Sequence, residues 1–232
     1  EYDDTVDNEA FCIMLAKECG LPVPEVAIRK GKHTALLVSR YDRVEKAGTL
    51  ERIHQEDFCQ ALGFSHDQKY QKDGGPGFKQ CFDLLEENSS DPIPDKSNLL
   101  RWVAFNYMIG NCDAHAKNIS ILIDNERVNL APFYDLMSTV VYPDLSKEMA
   151  MKFHHEDRPE WISKKHWEHL AQDAGVASKA VLDSCVEIGK ILPPVVEKLS
   201  KSFIAKHGAQ KTIKTITTYS TSMAQKLTEG LA

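Results

Sequence analysis

The stretch Asn111-Cys112-Asp113-Ala114-His115-Ala116-Lys117-Asn118 places a carboxylate, an imidazole, an ammonium and a carboxamide in one short loop. A second carboxylate, Asp135, follows 17 residues after Asn118, in Ala-Pro-Phe-Tyr-Asp-Leu-Met-Ser. In kinases an Asp accepts the substrate hydroxyl proton, and an Asn five positions later and a distant Asp hold magnesium. The same order in this sequence favours ATP-dependent phosphoryl transfer.

Each group in this loop has a role in such chemistry. Asp113 would orient the attacking hydroxyl and accept its proton, and Lys117 would neutralise charge on the transferring phosphoryl group. Asn118 offers a neutral oxygen and Asp135 an anionic one, and both suit magnesium. His115 would contact phosphate or brace the loop.

The same residues also allow simpler interpretations. Asp and Asn favour turns, so residues 113–118 could form a hydrogen-bonded turn, and Asp135 after Pro132 could cap a helix. The pair His154-His155 together with His115 could indicate a transition-metal or nuclease site. No H-E-x-x-H spacing and no Cys/His quartet supports that third interpretation.

Composition restricts the class of protein. The chain has 232 residues, of which 42% are hydrophobic and 27% charged, as in soluble globular proteins of one large domain or two small lobes. The formal net charge of -6 argues against general binding of nucleic acid. The sequence has no signal peptide and no 18-residue apolar run, so we expect a cytoplasmic protein without a membrane span. Six scattered cysteines, without a C-x-x-C pair, indicate reduced thiols.

Hydrophobic spacing and turn residues predict the secondary structure. A helix capped by Asp7 ends at Gly20, strands over 26–29 and 35–40 form a hairpin, and strands over 119–123 and 128–130 form another. Residues 89–95, which include two prolines, are predicted to form a surface connector. Further helices are predicted over 55–62, 78–87, 97–109 (amphipathic), 163–174, 178–192, 194–206 and 210–227, with a break or a kink at the Pro193-Pro194 pair.

These elements predict an α+β fold with a small β-containing start and a larger helical part. One short hairpin would carry the polar loop. Because residues 119–130 run out and back, we expect Asp135 to lie near Asn118. Kinase large lobes are built this way, but so are unrelated α+β domains, so the fold alone does not decide the function.

Six blocks of sequence stand between residues 5 and 138. They are Thr5-Val6-Asp7-Asn8-Glu9 with Leu15-Ala16-Lys17-Glu18 and Gly20-Leu21; Ser39-Arg40-Tyr41-Asp42-Arg43; His54-Gln55-Glu56-Asp57-Phe58-Cys59-Gln60; Lys69-Tyr70 with Asp73-Gly74-Gly75-Pro76-Gly77; Asp113-Ala114-His115-Ala116-Lys117-Asn118; and Pro132-Phe133-Tyr134-Asp135. In content and order they resemble the HipA family of bacterial serine/threonine kinase toxins, which includes the related HipT kinases. The closing helices resemble that family only in character.

The resemblance implies a protein-kinase-like fold, mostly the helical large lobe. It implies that Asp113 is the catalytic base and that Asn118 and Asp135 bind magnesium. Residues 1–42 would be a remnant of the small lobe and hinge. Residues 43–232 would be the helical large lobe, with the catalytic loop at 111–118 and the metal-binding loop at 131–138.

The resemblance also implies a nucleotide site. Ser39, Arg40 and Tyr41 would form the hinge, whose backbone meets the adenine edge, with Asp42, Gln55 and His115 beside the nucleotide. Ser39 stands where HipA-like kinases often carry Glu. Tyr41 could instead be an ordinary packed aromatic residue, and Asp42 with Arg43 a surface pair.

In the family, a phosphate-covering loop with an autophosphorylated Ser and an ATP-binding Lys precede the Asp7-Asn8-Glu9 block. This sequence contains neither part. We therefore expect it to be the large-lobe portion of a kinase and to hold triphosphate poorly on its own. Glu9 would be the partner of the absent lysine.

Three functions follow. The first is a kinase that uses ATP and Mg²⁺ to phosphorylate Ser or Thr of a protein, such as an aminoacyl-tRNA synthetase, in the bacterial cytoplasm or, after export, in a host cell. It would have an antitoxin partner and no direct contact with nucleic acid or membrane. The second is a non-catalytic, pseudokinase-like module that binds an antitoxin or host protein. Retention of Asp113, Asn118 and Asp135 favours the first, and the absent Lys and loop favour the second. The third, metal-dependent phosphodiester hydrolysis, would proceed without ATP.

Overall fold

The computed structural model describes residues 2–231. The predicted divisions 1–42 and 43–232 include residues 1 and 232, which lie outside that range. The helices are α1 (Thr5–Glu18), α2 (Phe58–Ala61), α3 (Phe78–Asn88), α4 (Pro92–Ile109), α5 (Lys164–Asp173), α6 (Ser178–His207) and α7 (Gln210–Leu231). The strands are β1 (Val26–Arg29), β2 (Ala35–Val38), β3 (Arg43–Lys46), β4 (Thr49–Arg52), β5 (His54–Asp57), β6 (Ser120–Asp124) and β7 (Arg127–Leu130).

The strands form small antiparallel sheets in the order β1-β2, β3-β4 and β5-β6-β7. In the third sheet Asp57 pairs with Ser120 on one side of β6, and Ile121 pairs with Leu130 on the other. The turn between β6 and β7 contains Asn125 with a φ of 56°, a conformation that Asn tolerates better than most residues. Both predicted hairpins are confirmed.

Helix α4 lies at the centre of the hydrophobic core. Every residue from Leu99 to Ile109 is buried except Arg101, which is partly exposed. Helices α3, α6 and α7 all pack against α4, so it has no fully polar face. The prediction of an amphipathic helix over 97–109 is therefore correct for the helix but wrong for its amphipathic character.

Two predictions between residues 55 and 95 are wrong at their starts. Residues 54–57 form strand β5 because they pair with β6. The helix begins only at Phe58. Its N-cap is Asp57, whose side chain accepts a hydrogen bond from the Gln60 backbone N–H at 2.9 Å. Helix α4 begins at Pro92, inside the predicted connector 89–95. Proline fits the first turn of a helix, because the N–H that it lacks has no partner within the helix there.

Of the two outcomes predicted at Pro193-Pro194, the break is wrong, since α6 runs continuously through both prolines. Its residues Ile188, Leu192 and Val196 are fully buried. A Cβ on Gly189 would lie 2.8 Å from the Thr228 side chain, so α6 and α7 approach closely. Packing along this interface offsets the hydrogen bonds that the prolines remove.

The hairpin β3-β4 was not predicted. Its strands are short and mostly exposed, so no alternation of apolar residues marks them. The turn residues Ala47 and Gly48 have φ values of 51° and 79°, as in the two-residue turns that favour hairpins. Within residues 2–231, no helix is both long and apolar enough to cross a membrane.

Gly110, which ends α4, is expected to be intolerant of a side chain. Its φ is +68°, and a Cβ there would lie 2.7 Å from the Val140 and Tyr219 side chains. We expect Gly110→Ala to lower the free energy of unfolding by about 2–5 kcal/mol, from left-handed strain plus overpacking. Urea unfolding followed by circular dichroism measures this loss.

Gly48 is the matched control, because its φ is +79° and no atom lies within 4 Å of its Cβ position. Gly48→Ala should cost only the backbone strain, about 1–2 kcal/mol. Equal losses in the two variants would show that crowding at Gly110 is relieved at no cost.

Candidate active site

The loop that follows α4 is held by a ladder of buried amides. The Asn111 backbone N–H donates to the Asn106 carbonyl at 3.0 Å, and the Asn111 side chain donates to the Asn106 side-chain oxygen at 2.8 Å. The Asn111 Oδ1 atom in turn accepts from the Asp113 backbone N–H at 3.2 Å. Asn106 and Asn111 are buried, whereas Asp113 is exposed. The ladder therefore fixes the backbone of Asp113 and leaves its carboxylate accessible.

One oxygen of the Asp113 carboxylate is held by Tyr70. The Tyr70 hydroxyl donates to Asp113 Oδ1 at 2.6 Å. Burial, and then the hydrogen bond to Asp113, raise the pKa of Tyr70, so the phenol stays a neutral donor. Among residues 2–231, nothing hydrogen-bonds to Asp113 Oδ2, so this oxygen is available to an incoming hydroxyl group.

Asn118 and Asp135, which were predicted to lie close together, are in direct contact. The Asn118 Oδ1 atom accepts from the His115 backbone N–H at 3.0 Å, and the Asn118 Nδ2 donates to Asp135 Oδ2. The side chain of Asn118 is buried, whereas that of Asp135 keeps contact with solvent. The role of both residues as metal ligands stays a prediction.

The backbone of Asp135 is strained, with a φ of 54°, which is uncommon for residues other than glycine. Asn8, buried on α1, holds the same loop three residues further on. Its side chain accepts from the Ser138 backbone N–H and donates to the Ser138 carbonyl, each at 2.9 Å. A side chain 130 positions away in sequence therefore secures the loop that carries Asp135.

Three carboxylates influence one another at this site. Burial, and then the charge of Asp113, raise the pKa of Asp135. Burial, and then the charge of Asp135, raise the pKa of Glu9 to about 7. Concentrated negative charge of this kind favours a bound cation.

No group of three or more His, Cys, Asp or Glu side chains within residues 2–231 could hold a metal ion. The predicted magnesium ligands, Asn118 and Asp135, do not require such a group of three. Magnesium takes its further ligands from phosphate and water. The His154 ring stacks on His169 with centroids 4.1 Å apart, whereas His115 contacts Tyr70. The three histidines of the transition-metal interpretation therefore do not form one cluster.

His115 is packed inside the loop. It is buried, and its ring meets the edge of Tyr70 with centroids 5.4 Å apart. Burial is the main cause that lowers the pKa of His115. These contacts fit a side chain that braces Tyr70 and the loop, and its contact with a nucleotide stays a prediction.

A chain of hydrogen bonds joins the third sheet to the loop 111–118. Gln55 Nε2 donates to Ser120 Oγ at 3.0 Å, and Ser120 Oγ lies 2.7 Å from the Tyr134 hydroxyl. The Tyr134 hydroxyl donates to the Lys117 carbonyl at 2.7 Å. Sequence reasoning missed Ser120, and it assigned Tyr134 no role, although Tyr134 precedes Asp135 directly.

Of the two lysines Lys69 and Lys117, the first lies near enough for its charge to act on Asp135. The Lys69 ammonium lies 4.7 Å from the centroid of the Tyr70 ring, and its charge partly offsets the rise in the pKa of Asp135. Lys69 belongs to a block that resembles the HipA family, but no role was predicted for it. Within residues 2–231, the Lys117 ammonium forms no ion pair, and its predicted contact with phosphate remains untested.

The predicted hinge, residues 39–41, connects β2 to β3. The Ser39 backbone N–H donates to the Glu25 carbonyl at 2.9 Å, which extends the pairing of β1 with β2. The Tyr41 ring stacks on Tyr134 with centroids 6.4 Å apart, and burial raises the pKa of Tyr41 to about 12. Tyr41 is thus a packed aromatic residue, and a role beside the nucleotide stays a prediction.

Asp42 is surrounded by arginines. It is 1% exposed, and it accepts from Arg40 Nε at 2.7 Å and from Arg43 Nη1 at 2.6 Å. The hydrogen bond from Arg40 is the main cause that lowers the pKa of Asp42. The alternative pairing of Asp42 with Arg43 is therefore present, but the Asp42 carboxylate is buried and not at the surface. Contact of Asp42 with a nucleotide would require this cluster to open, whereas the Arg40 side chain is more than half exposed. Both contacts stay predictions.

We expect the buried charge of Glu9 to reduce stability at high pH. Its pKa in the folded chain, about 7, exceeds the ordinary value of 4.5, so stability is lost as the pH rises from the lower to the higher value. With a chelator present, we compare the free energy of unfolding of Glu9→Gln with that of the wild type. This difference should grow in favour of the variant by about 1–3 kcal/mol as the pH is raised from about 5 to about 8.5.

Chemical unfolding at both pH values measures this gain. Glu18→Gln, an exposed position on the same helix, is the control and should show no such change. If the effect of Glu9→Gln on the free energy of unfolding does not change with pH, the raised pKa of Glu9 is contradicted.

Comparison with known proteins identifies close relatives. Residues 1–195 match the family described as HipA-like C-terminal domain. The protein Y4mE of Sinorhizobium fredii is 46% identical over 177 residues, covering 75% of this chain and 42% of that protein. The serine/threonine-protein kinase toxin HipA of Shewanella oneidensis is 30% identical over 213 residues, covering 86% of this chain and 49% of that protein. The chain thus spans about half the length of these relatives.

Two solved structures share the fold. The structure of Shewanella oneidensis HipA with HipB and operator DNA matches 100% of this chain and 57% of that chain, with a TM-score of 0.91 and 27% identity. The Helicobacter pylori kinase CtkA matches 97% of this chain and 82% of that chain, with a TM-score of 0.67 and 12% identity, a likeness of fold alone. The predicted kinase-like α+β fold is confirmed, and the chain belongs to the HipA-like C-terminal domain family.

Proposed function

We propose that this chain is the catalytic portion of an ATP- and magnesium-dependent protein serine/threonine kinase of a HipA-like toxin–antitoxin system. The observation that carries the proposal is the contact of Asn118 with Asp135 beside the accessible carboxylate of Asp113. These three residues stand in the order that kinases use. The family and the kinase fold support the same conclusion.

The residues present fit magnesium. The carboxylate of Asp135 and the amide oxygen of Asn118 are hard oxygen ligands, and the raised pKa of Asp135 reflects a charge in need of compensation. When bound, Mg²⁺ would neutralise the triphosphate. Asn118 would give up its contact with Asp135 to accommodate the ion.

Asp113 would act as the base toward the acceptor. Tyr70 holds Oδ1, which orients Oδ2 toward the hydroxyl of a Ser or Thr. As the acceptor oxygen bonds to the γ-phosphorus, the bond from that phosphorus to the bridging oxygen breaks, ADP leaves, and Asp113 accepts the hydroxyl proton. Lys117 and Lys69 would offset charge on the phosphoryl group.

Other parts of the proposal concern the whole protein. Residues 39–41 would meet the adenine edge through their backbone, with Gln55, His115 and Asp42 nearby. Residues 1–42 would belong to the small lobe and hinge, and residues 43–232 to the large lobe. The acceptor would be a protein, such as an aminoacyl-tRNA synthetase, in the cytoplasm. An antitoxin partner is proposed because the Shewanella HipA structure contains HipB.

A non-catalytic binding module is the second candidate. One observation favours it: the Asn118 carboxamide is satisfied within the chain, by the His115 backbone at one end and Asp135 at the other. A site closed in this way needs no cation to be stable. Such a module would bind its partner equally well after Asp135 is replaced.

Replacement of the proposed catalytic groups tests the first candidate. In the full-length protein with Mg²⁺ and radiolabelled ATP, Asp113→Ala should lower the phosphorylation rate by about 10²–10⁴-fold, because it removes the base. Asp135→Ala should also lower the rate by orders of magnitude, because it removes the anionic metal ligand. Asp183→Ala, at an exposed position on α6, is the control. Equal activity in all variants would end the catalytic assignment.

Tyr70 should act as a positioning residue. Tyr70→Phe removes only the hydroxyl that orients Asp113, and a hydrogen bond to a charged group contributes about 1.5–3 kcal/mol. We expect kcat to fall roughly 10-fold or more, with the KM for ATP unchanged. Steady-state kinetics measure this split, with Tyr2→Phe at an exposed tyrosine as the control. An unchanged kcat would show that Asp113 needs no orientation by Tyr70.

A further inference from the structure

A cavity of about 300 Å³ opens beside Asp113, and its wall includes Asp113 and Tyr70. Neither Asn118 nor Asp135 nor the segment 39–42 contributes to this wall. The cavity therefore adjoins the acceptor side of the base and not the side proposed for the nucleotide.

The lining of this cavity is mainly apolar. Its apolar members include Met137, Leu145, Met149 and Ala150. Lys72 and Glu148 also line it, and their charged groups lie 3.8 Å apart on half-exposed side chains. Because these two charges offset each other and no arginine lines the cavity, neither a phosphate nor a carboxylate would find a strong partner there.

Hydrogen bonds fasten the cavity wall to both sides of the candidate active site. The Ala150 backbone N–H donates to the Cys112 carbonyl at 3.0 Å, and the Ala150 carbonyl accepts from the Gln71 backbone N–H at 3.1 Å. The Lys152 backbone N–H donates to Gln71 Oε1 at 2.7 Å. Ala150 thus bridges the loop of Asp113 and the loop of Tyr70, so the pocket is preformed.

The position of the cavity restricts what can fill it. A hydroxyl group bound at Asp113 belongs to a Ser or Thr residue of the substrate, and consecutive Cα atoms are about 3.8 Å apart. The side chain of a neighbouring residue therefore lies at the mouth of a cavity that shares Asp113 in its wall. An apolar side chain buries its surface there without leaving a charge unpaired.

We propose that this cavity is a specificity pocket, which receives the apolar side chain of a residue adjacent to the acceptor Ser or Thr in the protein substrate. The proposal rests on the kinase function proposed above. It assigns Leu145 and Met149 as specificity-determining residues, which contact the neighbour of the acceptor and not the reacting atoms.

Synthetic peptides test the pocket. Each contains one Ser, and the residue before or after it is Leu, Gly or Glu. The full-length protein should phosphorylate one of the Leu peptides with a kcat/KM about 10-fold or more above its Glu counterpart, as expected for an apolar pocket. Fluorescence anisotropy of labelled peptides reads the same preference without turnover.

Replacement of Leu145 supplies the decisive comparison. Leu145→Arg should reverse the preference, so that the Glu peptide becomes the better ligand and substrate. The milder Leu145→Ala should weaken the preference for Leu several-fold, and it keeps the test valid if the arginine variant does not fold. Leu50→Arg, at a position 69% exposed on β4, is the matched control and should keep the wild-type preference.

The outcomes separate the two proposals. Equal use and equal binding of the Leu, Gly and Glu peptides by the wild type, or a preference for Leu that persists in both Leu145 variants, would overturn the pocket. Phosphorylation without such selectivity would contradict the specificity pocket and still support the proposed kinase function. Selective binding that Leu145→Arg reverses, without phosphorylation of any peptide or protein, would support the pocket and overturn the kinase.

Discussion

The antiparallel pairing of β6 with β7 is the constraint on which the candidate active site depends. Asn118 lies just before β6, Asp135 follows β7, and the pairing of Ile121 with Leu130 brings the two ends of the hairpin together. A slip of one residue in this register would turn every side chain to the opposite face. Pairing with β5 on the other edge, through Asp57 and Ser120, reduces the freedom to slip.

The fold also stabilises an arrangement that is unfavourable locally. Asp135 has a positive φ, and its carboxylate lies near those of Asp113 and Glu9, so that the pKa of Asp135 and that of Glu9 are both raised. Strain and like charges of this kind persist only where the surroundings hold them, and they concentrate at functional sites. Here Asn8 holds the loop that carries Asp135, through two hydrogen bonds to the backbone of Ser138.

Much of the fold could be predicted because its signals are local. The hairpin of β6 and β7 has a turn at Asn125, and the order of Asp113, Asn118 and Asp135 is visible in the sequence. The failures arose where tertiary contacts decide. Residues 54–57 became a strand only through pairing with β6, and α6 continues through two prolines because α7 packs along it.

The residues that support the site were not predicted from any pattern, because each acts across a long sequence separation. Asn8 holds a loop 130 positions away, and Tyr70 reaches Asp113 across 43. Ala150 joins the segments of both Tyr70 and Asp113 through its backbone, which no side-chain motif can reveal. The same hydrogen bonds therefore shape the apolar cavity and place the loops of Tyr70 and Asp113. If Asp113 is the base and the cavity is the specificity pocket, as proposed, these shared supports would couple orientation of the acceptor hydroxyl to selection of its neighbour.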